Sequence, residues 1–304
     1  MQVLSHQQPA LDEILRRARA FFGGAWLRIP IKPRFHTLLT GPTGVGKSYL
    51  AAKAADELGC KLVRVAVPGW MPAGAHNRAV GETVSHIAGE ISANDRTILF
   101  CDEIDKIYQE ENPWMAYIRN ELYDLTDGRW PAGLKSDDDL DATGAKNHLE
   151  QLTKKLRTSV FILAAGTFQT FFDHPASRRA MGFAAELQTT NDGLTAAIIA
   201  ERLPRELANR FNLRTINIPE LLPEHYRLIA DQAERSLPEP MRPLFKTEID
   251  HLIGEAITTK KGVRFLEEAA LEMLQKLPPG FFPPETPPPN IFDNPEMFDV
   301  GIEI

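Results

Sequence analysis

Residues 41–48 read GPTGVGKS and fill the pattern G-x-x-x-x-G-K-[ST] completely, so the reading of the fold starts there. The stretch follows a short apolar run at 36–40 (HTLLT) and precedes a helical run at 49–58 (YLAAKAADEL) that stops at Gly59. Strand, loop and helix in this order are the context in which such a loop binds phosphate. Gly41, Gly44 and Gly46 let the backbone curl until successive N–H groups converge, with Pro42, Thr43 and Val45 between them, and the helix N-terminus adds its positive end. Lys47 then meets the β/γ-phosphates as a point charge, and the Ser48 hydroxyl is placed to ligate Mg²⁺.

Working outward, residues 61–67 (KLVRVAV) form a β-like run, followed by a Pro/Gly-rich loop and a helical stretch at 82–91. Residues 97–105 (TILFCDEID) read as a buried central strand with acids where it ends. Ligands of open α/β sheets bind outside the carboxyl ends of the strands, which turns Asp102 and Glu103 towards the phosphate loop. Asp102 is the expected Mg²⁺ contact and Glu103 the expected base for the attacking water; a solvated helix start is the plainer reading of two adjacent acids. A third buried strand at 159–165 (SVFILAA) leads into Gly166-Thr167-Phe168, placing a hydroxyl at the same edge.

Upstream, Leu11, Ile14, Leu15, Ala18 and Phe22 mark one amphipathic helix ending at Gly23-Gly24. Downstream, a short strand is expected at 214–218, and three helices near 224–237, 246–258 and 263–277. The expected organisation is an α/β nucleotide-binding subdomain over 1–219, a helical lid over 220–277, and a Pro/Phe-rich tail over 278–304. The prolines bar the tail from regular helix or central strand, which leaves disorder or a docking segment.

Composition limits the function classes. No apolar run approaches the roughly 20 residues of a membrane span, and the first residues, MQVLSHQQPALDE, lack the features of a signal peptide, so a cytoplasmic protein is expected. Two cysteines, Cys60 and Cys101, with no CxxC, exclude a zinc module. A formal charge of −7, with an acidic cluster at 137–141 (DDDLD) and no basic block, argues against nucleic acid as the main partner.

Together these motifs resemble the AAA+ ATPases, and within them the ClpX/HslU unfoldase branch, over residues 3–277. The resemblance implies a P-loop NTPase with a parallel sheet flanked by helices plus a small α-helical lid, ATP and Mg²⁺ as cofactors, and a hexameric homo-oligomeric ring acting on protein clients. The opening VLSHQQPALDEIL resembles the segment over which the adenine lies, which implies that Leu4 and Ser5 line the base pocket. FILAAGTFQ resembles the sensor-1 strand, with Thr167 in a slot commonly Asn. LPRELANRF resembles the arginine-finger segment, placing Arg210 against the γ-phosphate of the adjacent subunit. Gly262-Val263-Arg264 resembles sensor 2, with Arg264 reaching the same nucleotide from the lid. Either arginine, taken alone, reads as a surface charge.

Met181, Gly182 and Phe183 resemble the tripeptide through which ClpX docks on the ClpP peptidase, and read equally as a buried turn. The pore-loop segment has Ala79 where an aromatic residue is usual in the family, and the zinc-binding N-terminal domain of ClpX is not expected here. Trp70 lies nearby, either to grip a client or to cover the core. A partner-specific ATP-switched regulator and a DNA-linked ATPase of a mobile element or defence system are the alternative functions.

Overall fold

The computed structural model describes residues 3–31, 33–74, 81–108, 114–131, 134, 142–168, 203–211, 215–278 and 281. By contacts the chain divides into two units, Val3–Pro42 with Gly46–Glu220, and Met1–Gln2, Thr43–Val45 and Leu221–Ile304 together.

In the larger unit, strands β1 (Thr37–Thr40), β2 (Lys61–Ala66), β3 (Thr97–Asp102), β4 (Val160–Gly166) and β5 (Ile216–Asn217) form one sheet in the order β2-β3-β4-β1-β5. Every described pairing is parallel, so each return needs a crossover, and helices supply those from β1 to β2, β2 to β3 and β3 to β4. Helices α1 (Gln8–Phe22) and α2 (Lys47–Leu58) pack together, as do α3 (Glu82–Ala93) and α5 (Ala142–Thr158), with α4 (Met115–Thr126) between α3 and α5 in sequence.

Side-chain alternation along β4 shows why both faces are covered. Val160, Ile162 and Ala164 join a core with Val84 and Ile87 of α3, Ile118 and Leu122 of α4, and Leu156 of α5. Phe161 points the other way, its ring 6.0 Å from that of Phe21 in α1. A strand buried on both sides has no polar face to show, hence the unbroken apolar runs of β3 and β4. Each such large side chain contributes about 1.5–3 kcal/mol by leaving water.

Two sequence expectations change, and one open alternative is decided. In α1 the buried aromatic is Phe21, set among Phe22, Trp26, Phe35 and Phe161, while Phe22 is half-buried; both positions satisfy helical spacing from Ala18, and the aromatic cluster decides between them. Of the strand expected at 214–218, the described residues form β5 at Ile216–Asn217, with the Ile218 N–H donating to the Thr40 carbonyl. Trp70 is buried, and its indole N–H donates to Glu121 Oε2 at 2.6 Å. It covers the core, so the client-gripping role is withdrawn. Helices α4 and α5 were not anticipated, although Met115, Ile118, Leu122 and Leu125 repeat at spacings of three and four.

Glu121 is itself buried and also accepts the Ala73 N–H at 2.6 Å. Glu121→Ala strands both donors and is expected to cost about 3 kcal/mol in chemical denaturation. Burial outweighs these two bonds and raises the Glu121 carboxyl above its ordinary value. A raised folded value means its contribution is fully present below the unfolded value and is lost as pH rises through the folded one. Wild-type stability measured against Glu121→Gln therefore declines from acid towards neutral pH.

In the smaller unit, α6 being the short Arg205–Ala208 turn of the larger one, helices α7 (Pro223–Ser236), α8 (Arg242–Thr259) and α9 (Phe265–Lys276) pack in sequence. Tyr226 and Phe265 form their core with rings 5.6 Å apart, and the Tyr226 hydroxyl accepts the Gly262 N–H. Buried Glu248 is met by Lys276 at 2.8 Å.

Candidate functional site

The phosphate loop leaves β1 at Gly41 and enters α2 at Lys47. Gly44 and Gly46 adopt φ of 76° and 91°, left-handed values that side chains resist. Gly46 has a second constraint, because a Cβ there would lie 2.6 Å from the Gln7 side-chain nitrogen. Gln7 belongs to the turn at Leu4, accepting the Leu4 N–H through its side chain. Buried Leu4 and exposed Ser5 are thereby brought beside the loop by the segment that opens α1.

Lys47 is buried, and its ammonium donates to the carbonyls of Gly41 and Pro42, both at 2.8 Å. Burial pushes the amine down to about 8, despite the opposing pull of Asp102, Asp105 and Glu103. A cation held where solvent is scarce, its charge incompletely offset, is the electrostatic preparation for an anion. The loop geometry and this lysine fit a polyphosphate.

At the carboxyl ends of β3 and β4 three acids take different positions. Ser48 Oγ donates to Asp102 Oδ2 at 3.0 Å, so a hydroxyl and a carboxylate of the type Mg²⁺ favours lie together. Glu103 is exposed at φ 52°, a left-handed conformation that costs a non-glycine residue roughly 1–2 kcal/mol. Asp105 accepts from the Thr167 hydroxyl at 3.1 Å, the Thr167 N–H at 3.3 Å and the Phe168 N–H at 3.2 Å, tying β4 to the turn after β3. Asp105 was not singled out by sequence, although its place in DEID offered the signal.

Arg64 was also missed. Its guanidinium lies 3.1 Å from Asp102 Oδ2 and 3.3 Å from Ser48 Oγ. A basic residue inside the apolar run KLVRVAV, two places short of the strand end, was the visible signal.

Arg210 makes a bidentate pair with Asp127, Nε and Nη2 each 2.8 Å from a carboxylate oxygen, and its guanidinium sits 4.5 Å from the Tyr123 ring centre. It lines a cavity of about 310 Å³ with His36, Thr126 and Asp127. His36 precedes β1, whereas the phosphate loop follows it, so about 13 Å of strand separates the two ends at roughly 3.3 Å per residue. Arg264 is exposed in a short turn, Gly262–Arg264, of the smaller unit. Ala79, Met181, Gly182, Phe183, the acidic cluster at 137–141 and residues 282–304 lie outside the described residues. Among the described residues no helix is long and apolar enough to cross a membrane.

Comparison with known proteins agrees with this geometry. Residues 37–181 match the family described as "ATPase family associated with various cellular activities (AAA)". A ClpA homolog protein of Fuscovulum blasticum is 31% identical over 109 residues, covering 33% of this chain and 13% of that protein. The ATPase family gene 2 protein homolog B of Bos taurus is 35% identical over 113 residues, covering 34% and 14%. The chain thus spans about one seventh of the curated relatives it matches.

Proposed function

From an AAA domain with the P-loop NTPase fold, which takes Mg²⁺ and ATP and hydrolyses the nucleotide, we propose a ClpX-like ring in which copies of this chain unfold or remodel protein clients. The observation that carries the ring is the position of Arg210. It stands at the opposite end of β1 from its own phosphate loop, so a second copy is the place where its charge meets a γ-phosphate.

In this reading Lys47 and the backbone N–H groups of Gly41, Pro42, Thr43, Gly44, Val45 and Gly46 bind the phosphates. Leu4 and Ser5 flank the base. Ser48 and Asp102 hold Mg²⁺, which when bound neutralises phosphate charge. Glu103 accepts the proton of the attacking water, and Thr167, fixed by Asp105, reads the γ-phosphate position. Arg210 of the neighbouring copy stabilises charge in transfer, and Arg264 links the lid to the nucleotide state.

Mixing tests the ring directly. Arg210→Ala is expected to keep nucleotide affinity and lose about 10³-fold in turnover, with Asp127 retaining Arg129 at 3.1 Å. Glu103→Gln is inactive for the complementary reason. Mixed assemblies regain turnover, since one interface then joins an intact site to an intact arginine; no recovery in mixtures that co-assemble would remove the trans arginine.

A second reading is a remodeller dedicated to one partner, without threading. Burial of Trp70 supports it, because with Ala79 in the pore segment neither residue offers an aromatic grip. Capture on Glu103→Gln held in ATP separates the two. Many clients with a ClpP-like peptidase, docked through Met181, Gly182 and Phe183, mark the unfoldase; one stoichiometric partner marks the remodeller. Both place the protein in the cytoplasm, acting on protein rather than nucleic acid.

A further inference from the structure

The cation beside the metal-binding pair is the feature that the roles above leave unused. Arg64 projects from β2, at one edge of the described sheet, opposite Phe100 of β3 in the parallel register, with Ala66 opposite Asp102. Its guanidinium passes 5.9 Å from the Phe100 ring centre and ends on Asp102 Oδ2 and Ser48 Oγ. These are the two groups that fit Mg²⁺. The pair is shielded, with Arg64 30% and Asp102 14% exposed at the side chain.

We propose that Arg64 is a resident counter-ion of the metal site, neutralising Asp102 when Mg²⁺ is absent and displaced from Asp102 and Ser48 when Mg²⁺ arrives with ATP. The inference rests on the assignment of Ser48 and Asp102 to the metal. Two cations on one carboxylate oxygen repel each other, so a metal ion arriving at Asp102 Oδ2 favours displacement of the guanidinium. The side chain also has somewhere to go. Arg64 borders an open hollow of about 320 Å³ whose other lining residues include Gly69, Glu82 and His86.

Opposite effects on metal-free and metal-loaded binding follow. Without Mg²⁺, Arg64 screens incoming ATP from the Asp102 charge and supports metal-free binding. With Mg²⁺, its displacement works against the complex and raises the Mg²⁺ concentration required. A residue that merely supported the fold would weaken both states alike.

The test is equilibrium binding of ATPγS by the full chain, in EDTA and across a Mg²⁺ titration, for wild type, Arg64→Met, Arg64→Lys and the double variant Arg64→Met/Asp102→Asn. Met keeps the stem over Phe100 and removes the charge. For Arg64→Met the ratio of Kd in EDTA to Kd in Mg²⁺ is expected to rise about tenfold, the loss of one charge-assisted bond. Half-saturating Mg²⁺ falls in the same variant, and Arg64→Lys stays close to wild type. Adding Asp102→Asn restores metal-free binding, because the charge that Arg64 masked is then gone. An unchanged ratio in Arg64→Met overturns the inference, as does an equal loss of metal-free binding in the single and double variants, which would put Arg64 on the phosphates themselves. Failure of wild type to bind ATPγS even with Mg²⁺ would instead overturn the nucleotide-site reading.

Discussion

Glu103→Gln is expected to bind ATP with wild-type affinity and to turn it over 10²–10⁴-fold more slowly. The side chain is exposed, so the exchange leaves the core untouched, and Gln tolerates the backbone no worse than Glu at φ 52°. What changes is the capacity to take a proton from water. Single-turnover measurement with labelled ATP, alongside a binding isotherm, reads the two quantities separately. Retention of more than about a tenth of the turnover would sink the assignment. Asp105 is a poor substitute base, since its carboxylate is already engaged by Thr167 and Phe168.

Lys47→Ala acts earlier, on binding. The ammonium is the buried charge of the loop, and its removal is expected to weaken ATP by 10²-fold or more, the loss of about 3 kcal/mol of charge-assisted contact to phosphate. The nucleotide-free protein should melt at nearly the wild-type temperature. Burial already disfavours this charge, as its depression to about 8 shows, so relief from desolvation offsets the lost bonds to Gly41 and Pro42. A fluorescent ATP analogue and a thermal melt check both halves. Coupled loss of binding and melting temperature would mean that Lys47 holds the loop together instead of serving the phosphate.

How much was legible depends on the range of the physics involved. The residues 41–48 needed only their own sequence, since glycine geometry, a helix N-terminus and the order strand-loop-helix are local matters. The apolar runs of β3 and β4 were equally plain, because a strand covered on both faces cannot alternate. The helices of the smaller unit followed from their periodicity to within one to four residues.

Where two positions satisfied the same local rule, tertiary packing chose. Phe21 and Phe22 both fit the helix spacing, and only the cluster with Trp26, Phe35 and Phe161 decided which is buried. Trp70 read as a loop aromatic until Glu121, 51 residues later, supplied the acceptor that allows an indole to be buried. Arg64 passed unremarked inside the run KLVRVAV, and stands on Asp102 because parallel pairing sets β2 beside β3. The sequence by itself determined the loop and the central strands, because those depend on neighbours along the chain. The tertiary structure decided which charges stand together and which aromatics are sealed, because Asp102 with Arg64, Asp105 with Thr167 and Asp127 with Arg210 are 38 to 83 residues apart and meet only once the sheet has formed.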